Sequence, residues 1–304
     1  MPWTYRLRFR TAKHFNTEDE RLLLAQVEPA AIAIRAADGS LKTSEWLIIC
    51  VSGHLSREDA IREAARTKSA LLLAATERFL GFDCGPDRVT AGLFRGIKEA
   101  IREQNGMVVR DNVHGVDVFE GGDEVHIFNV SARTQVLVSP PHFVTAFSKH
   151  WNANQPILTR HRLSLELINL TFFETSAAAQ LILWTTAIEI LAPTRDRSNN
   201  VRDALSSLIE TLKKMDLNEA DKQVVEQALL RAKTTSIAEA CREKISNRLG
   251  QNQVTVFNAI YRARSQLVHS GQTEENVHEM ALSARELASA LVLTEIAVAQ
   301  TPPG

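Results

Sequence analysis

Apolar and polar residues follow two different patterns along the chain, and the change comes near its middle. In the first half, short strand-like runs alternate with helical ones. Residues 5–10, YRLRFR, alternate apolar side chains with arginines, which predicts a strand with one apolar face and one solvated basic face. Runs 30–35 and 46–52 predict further strands, and the second is apolar enough to lie centrally in a sheet.

Helix and turn signals complete the first half. Ser56 precedes a helical run with Glu58 and Asp59 in its first turn, where the helix dipole favours negative charge. This helix is predicted to end at Gly81. Further on, Gly121 and the glycine after it predict the turn of a β-hairpin. The remaining predicted elements are a helix at 90–104, the two hairpin strands at 113–119 and 125–130, and a strand at 134–138.

The second half carries almost no strand signal. Residues 159–191 contain neither Gly nor Pro and predict one long helix, apolar nearly all round. Ser236 and Glu239 form a capping box for a later helix, which Gly250 ends. The full set of predicted helices is 159–191, 198–216, 218–233, 236–249, 254–270 and 273–300.

These patterns predict two domains. Residues 1–152 are expected to form a mixed α+β domain, and residues 153–304 an all-α helical bundle. The stretch WNANQP, residues 151–156, is interpreted as the linker. The strand order of the first domain does not follow from the sequence.

Composition excludes several classes of function. The chain has 304 residues, 44% of them hydrophobic and 23% charged, and a formal net charge of −1. A protein that binds long nucleic acids by charge alone is usually strongly basic, so a general nucleic-acid coat protein is not expected. The most apolar stretch is interrupted by polar residues, so no membrane span is expected. Three distant cysteines form neither a disulfide framework nor a zinc pattern. We expect a cytoplasmic protein that uses no metal and no cofactor.

One candidate for chemistry lies on the predicted helix 254–270, which reads YRARSQLVHSG from Tyr261 to Gly271. Arg264 and His269 are five residues apart, which satisfies the pattern of an arginine followed by four to six residues and a histidine. The spacing alone has little value, because 35 Lys and Arg residues and nine histidines produce such matches by chance. Arg262 with His269 also fits it.

The surrounding residues carry a resemblance. A late helix with Tyr261, then Arg264-Ser265, an apolar pair, His269 and a glycine resembles the Apea-like branch of the HEPN domains. The earlier segment LILWTTAIEILAPTRDRS, residues 181–198, is similar to that family's early helix and basic turn. The resemblance covers about the C-terminal half of the chain. It implies a HEPN-like helical bundle, a homodimer, and in many members a metal-independent ribonuclease.

The chemistry of RNA cleavage fits these residue types. Without a metal, the 2′-hydroxyl must lose a proton and attack the adjacent phosphate, while the leaving 5′-oxygen gains one. Histidine transfers protons near neutral pH, and arginine offers phosphate a planar set of donors. We expect products with 2′,3′-cyclic phosphate and 5′-hydroxyl ends. Since each helical residue turns about 100°, side chains five apart diverge by about 140°. Either the helix loosens before Gly271, or the site combines two subunits.

Five further residues are weaker candidates for contact with RNA or its phosphates. All except Ser265 also have a structural interpretation, as a packing residue, a helix-end charge or a polar group at the edge of the core. These five are Tyr261, Ser265, Glu189, Arg195 and Arg197.

The leading hypothesis is therefore a metal-independent endoribonuclease of HEPN type, with a role in toxin action or defence. Its partners would be RNA, a second copy of the chain and an unidentified regulatory partner. The alternative is a non-catalytic HEPN-like module that binds nucleotides or RNA, or that regulates another protein. The sequence leaves open the RNA target, the trigger and the role of the first domain.

Overall fold

The computed structural model describes residues 2–28, 30–91, 95–105, 109–121, 126–127, 137–154 and 157–298. They form two compact units, which divide between Gln180 and Leu181. We call residues 2–180 the sheet unit and residues 181–298 the helical unit. A mixed α+β region followed by a helical region is confirmed. No helix among the described residues combines the length and the hydropathy that crossing a bilayer requires.

The strands, in chain order, are β1 (Trp3–Thr11), β2 (His14–Phe15), β3 (Arg21–Ala25), β4 (Ile32–Ala36), β5 (Trp46–His54), β6 (Phe82–Asp83), β7 (Arg88–Ala91), β8 (Val109–Arg110), β9 (Asn112–Glu120), β10 (His126–Ile127) and β11 (Leu137–Val138). The helices are α1 (Arg57–Glu77), α2 (Arg95–Asn105), α3 (Pro140–Ala153), α4 (Thr159–Thr171), α5 (Ala177–Leu191), α6 (Asn199–Lys213), α7 (Glu219–Ala232), α8 (Ile237–Leu249), α9 (Gln251–Ser270) and α10 (Val277–Val298).

An antiparallel sheet in the order β3-β4-β5-β1-β9-β7 organises the sheet unit, and β6 pairs with the far end of β1. The apolar residues of β1 lie on the face covered by α1, where the Tyr5 hydroxyl contacts the Thr67 hydroxyl at 2.8 Å. Aromatic rings continue this core, with Phe82 packing on Phe9 and Phe143 at centroid distances of 4.9 and 5.5 Å. The alternation in β1 is thus explained by one face against a helix.

The prediction of a solvated basic face on β1 is wrong for two of its three arginines, since only Arg10 is substantially exposed. Arg6 and Arg8 are only 3% and 4% exposed. Arg6 donates to the Asn112 side chain at 3.2 Å, and the Arg8 guanidinium lies 3.4 Å from the Trp46 ring centroid. Burial lowers the pKa of each arginine to about 10. Alternation in the sequence shows that the two faces of the strand differ. It does not show whether an arginine on the second face is hydrated or packs on an aromatic ring.

The predicted hairpin after β9 is not present in the described residues. β1 pairs with residues 115–120 of β9 and β7 with residues 112–114, while β10, the described part of the second predicted hairpin strand, pairs with β8 in parallel. The predicted turn continues from Gly121 into residues outside the described part of the chain. Residues 134–136 of the last predicted strand also lie outside it. Residues 137–138 form β11, which pairs with β2.

One predicted long helix is two helices, so this prediction is wrong as well. α4 ends at Thr171 and α5 begins at Ala177. Between them, the Glu174 carboxylate accepts from the backbone N–H groups of Thr175 and Ser176. The Ser176 hydroxyl then accepts from the N–H of Ala179, 3.3 Å away. These side chains satisfy the amides just before α5 and in its first turn. A new helix therefore begins here without Gly or Pro.

α4 belongs to the sheet unit because of a buried asparagine. The Asn169 amide nitrogen donates to the Thr76 hydroxyl of α1 at 2.9 Å, and its oxygen accepts from the N–H of Phe82 at 3.0 Å. A buried amide with its partners satisfied fixes one docking geometry. The two compact units divide between Gln180 and Leu181, whereas the predicted boundary follows residue 152. The predicted linker stretch begins inside α3, a helix that was not predicted from the sequence.

The helical unit packs α8, α9 and α10 against one another. Its caps follow the sequence: the Ser236 and Asn218 side chains accept from backbone amides three residues later, and Gly271 ends α9 in the left-handed conformation. α6 and α7 contact each other as a hairpin. α7 contains no buried residue, and only Ile209 and Leu212 are buried in α6.

Candidate functional site

The Arg–His motif lies on the second half of α9. Buried Phe257, Ile260 and Ala263 hold one side of this helix in the core of the helical unit. The helix continues without interruption to Ser270, and the N–H of Gly271 bonds to the carbonyl of Leu267 at 3.0 Å. α9 therefore does not loosen before Gly271, which removes one of the two ways to bring Arg264 and His269 together.

Arg264 is half-buried against α5. Its Nη2 lies 3.6 Å from the Glu189 carboxylate, and the two side chains are 23% and 15% exposed. The guanidinium carbon is 6.0 Å from the centroid of the Tyr261 ring. The Arg264 Nε is buried and has no hydrogen-bond partner within the described part of the chain. The guanidinium is thus positioned by an acid and a ring, yet keeps a free donor.

Burial and the Glu189 charge act on the groups around this ion pair. Burial raises the pKa of Tyr261, and the Glu189 carboxylate raises it further. Burial also raises the pKa of the Cys241 thiol to about 12, with Glu189 again contributing. A thiol held in this state is not a nucleophile near neutral pH. The structure therefore brings together Glu189, Tyr261 and Arg264, and Cys241 beside them serves packing.

His269 lies apart from this cluster on the same helix. It is exposed in the last turn of α9, and a regular helix directs it about 140° away from Arg264. Ser265 is half-buried next to Arg264. Within one chain, the two motif side chains leave the helix on different sides.

Arg195 and Arg197 form a separate group in the turn after α5. Arg195 pairs with Glu243, and Arg197 donates to both oxygens of Glu239 at 2.9 and 2.6 Å. The bond to Glu239 raises the pKa of Arg197. A phosphate at either arginine would have to compete with a carboxylate. Arg195 also lines a cavity of about 330 Å³ between the end of α5 and α8, which does not include the motif.

Arg262, the other arginine that fits the spacing, has a different environment. It is exposed and donates to Glu275 at 3.0 Å. The two arginines thus differ in burial and partner, although they are only two residues apart. This difference makes Arg262 a matched control for Arg264.

Two buried features of the sheet unit went unnoticed in the sequence. One is the burial of Arg6 and Arg8 on β1, and the other is the contact of His54 at the end of β5 with Glu63 on α1. The signal for the second pair was weak: a histidine closing an apolar strand, and a carboxylate one turn after Asp59. Among the described residues, no three His, Cys, Asp or Glu side chains cluster closely enough to hold a metal ion.

Comparisons of this chain with protein-family models, with curated proteins and with solved structures find no match.

Proposed function

We propose that the protein is a metal-independent endoribonuclease that acts as a homodimer through its helical unit. Arg264 would hold the scissile phosphate, and His269 would transfer protons between the 2′-hydroxyl, the phosphate and the leaving 5′-oxygen. The observation that carries the proposal is the environment of Arg264, whose guanidinium lies 3.6 Å from Glu189 while 23% of the side chain stays exposed. An arginine oriented by one acid can offer its remaining donors to a phosphate oxygen.

A dimer is required by the geometry of α9 in this proposal. A regular helix separates Arg264 from His269 by about 140°, so one complete site would take Arg264 from one subunit and His269 from the other. Val268, between them, is 48% exposed and would contribute to the contact. The predicted long apolar helix no longer supports a dimer, because it is two helices and α4 packs within the sheet unit.

The first test is cleavage of single-stranded RNA in EDTA. We expect wild-type protein to leave 2′,3′-cyclic phosphate and 5′-hydroxyl ends. His269→Ala should reduce the rate by about a hundred- to ten-thousandfold, the usual contribution of an acid–base group. Arg264→Ala should reduce it by about a hundred- to a thousandfold. Arg262→Ala should retain activity because its guanidinium faces solvent and Glu275.

Mixing the two inactive variants tests the shared site. If each site combines two subunits, a heterodimer of Arg264→Ala and His269→Ala contains one site with both residues intact. Random exchange of subunits should then restore about a quarter of the wild-type rate. A mixture that stays inactive while dimers exchange would contradict the two-subunit arrangement.

The non-catalytic alternative also has support, since the Glu189 pair gives Arg264 a structural role without any substrate. In that case the protein would bind RNA or nucleotides and leave every RNA intact from about pH 5 to about pH 9. Cleavage that needs Mg²⁺ and leaves a 5′-phosphate would contradict both the mechanism and the site.

A further inference from the structure

A cavity of about 530 Å³ opens in the sheet unit where β5 ends and α1 begins. Ligand sites for small molecules commonly have volumes between about 300 and 1,000 Å³. The charged and titratable groups that line it are Glu28, His54, Asp59, Arg62, Glu63 and Arg66. The Arg–His motif and the proposed ribonuclease function play no part in this site.

His54 closes one wall of the cavity. It is 4% exposed, and its ring packs on that of Tyr5 at a centroid distance of 5.5 Å. Its Nδ1 lies 3.8 Å from a Glu63 oxygen, while Nε2 is buried and lacks a hydrogen-bond partner among the described residues. Because Nδ1 faces a carboxylate, the tautomer with its proton on Nδ1 is favoured, and Nε2 is then an acceptor.

Glu63 presents a second unfilled acceptor. Its side chain is 17% exposed, and its Oε1 is buried with no partner within the residues that the structure describes. Burial raises the pKa of Glu63, and Arg66 and Tyr5 only partly oppose this. A buried acceptor without a donor is costly, and a carboxylate more so than a neutral group.

The nearby cations compensate the charge of Glu63 only in part. Arg62 pairs with Asp59 one turn earlier. Arg66 donates to the backbone carbonyl of Trp151 at 3.2 and 2.8 Å, and its guanidinium carbon lies 4.0 Å from the centroid of the Trp151 ring. Both guanidinium groups are therefore engaged elsewhere. The cavity is left with two buried acceptors, a carboxylate and an imidazole nitrogen, and an excess of negative charge.

We propose that this cavity binds a small organic cation of the guanidinium type. Such a ligand brings several N–H donors in one plane, so it can donate to Glu63 and to His54, which both line the cavity, and can neutralise the carboxylate. A guanidinium group is more weakly hydrated than an ammonium group and matches carboxylates geometrically. The cavity has room for the group and a short aliphatic chain.

The test uses the full chain with two probes of nearly the same shape, n-butylguanidinium and the neutral n-butylurea. Binding is followed by calorimetry and by the imidazole nitrogen signals of His54. We expect the guanidinium probe to bind and to shift the His54 signals, and butylurea to bind at least about tenfold more weakly. Glu63→Gln and His54→Gln should each weaken binding of the cation by roughly ten- to a hundredfold. Glu58→Gln, exposed on the same helix, should leave the affinity unchanged.

Three results would overturn the proposal. One is equal affinity for the cation and for butylurea, and another is undiminished affinity in Glu63→Gln. The third is the absence of heat and of any His54 shift up to about 10 mM butylguanidinium. Because the wild-type shift is measured directly, the test does not depend on either variant folding. It is also independent of RNA cleavage, so failure of one proposal does not decide the other.

Discussion

Each unit encloses most of one glutamate side chain, and the oxygens of these two side chains have different partners. In the helical unit, Glu295 on α10 is 4% exposed. One of its oxygens accepts from Lys244 at 2.8 Å, and the other accepts from Arg248. In the sheet unit, Glu63 has one oxygen 3.8 Å from His54 and the other without a partner among the described residues.

The pKa values of the two groups move in opposite directions. Burial acts to raise the pKa of Glu295, but hydrogen bonds from Lys244 and Arg248 outweigh it and hold the value below the usual range. Burial raises the pKa of Glu63, and nothing reverses it. When both oxygens of an enclosed carboxylate accept hydrogen bonds, the charge is compensated within the fold. When one oxygen has no donor, that oxygen can still accept from a ligand. Satisfaction of the oxygens, more than burial, separates a structural acid from a binding one.

The largest effect should come from removing both partners of Glu295. Lys244→Met with Arg248→Met keeps the side-chain volumes but leaves a buried carboxylate unpaired. We expect the free energy of unfolding to fall by about 3–5 kcal/mol, measured by urea titration followed by circular dichroism. As a control, Arg202→Met with Lys213→Met removes one Arg and one Lys from exposed ion pairs and should leave the midpoint unchanged. Equal midpoints for both double variants would show that water solvates Glu295.

Replacing Glu295 itself should have a smaller effect. Glu295→Gln keeps the shape and loses the charge, which should cost about 2 kcal/mol at neutral pH. Because the folded-state pKa is lowered, the stability that the carboxylate contributes is present at neutral pH and is lost as pH falls through that value. The difference in the free energy of unfolding between wild type and variant should therefore become smaller below about pH 4. A difference that stays constant from neutral to acidic pH would mean that ionisation of Glu295 is not involved.

Glu63→Gln should have the smallest effect, with the opposite sign. Removing a charge that folding desolvates should leave the protein equally stable or more stable by up to about 1 kcal/mol at pH 8. Since the folded-state pKa is raised, the folded protein takes up a proton first as pH falls, so the gain should disappear on acidification. Unfolding midpoints of wild type and variant, at pH 8 and at acidic pH, measure this change in stability, with Glu58→Gln as the exposed control. A loss of stability as large as that of Glu295→Gln would make Glu63 a structural acid.

Local features of the fold could be read from the sequence. The alternation in β1, the caps at Ser236 and Asn218 and the end of α9 at Gly271 depend on residues close together in the chain. The break after Thr171 was missed because Glu174 and Ser176, rather than Gly or Pro, begin the next helix.

Long-range features could not be read in the same way. Alternating residues on β1 do not tell what covers the second face, so the burial of Arg6 and Arg8 was unexpected. The docking of α4 depends on Asn169 meeting a carbonyl and a hydroxyl of α1 nearly a hundred positions earlier. At the candidate site, the spacing located Arg264, and only the structure supplies its 3.6 Å contact with Glu189.

The hairpin of α6 and α7 has a consequence for motion. α7 buries none of its residues, and Val224 on it is 70% exposed. Little apolar surface therefore opposes its opening. Its stability comes from its own backbone bonds, from α6, and from Arg197, which donates to the carbonyl of Ala232 at 3.0 Å. Segments with so few buried contacts open by themselves, at a free energy far below that of global unfolding. Amide hydrogens of α7 should consequently exchange with solvent long before those of α9, while the rest of the helical unit remains native.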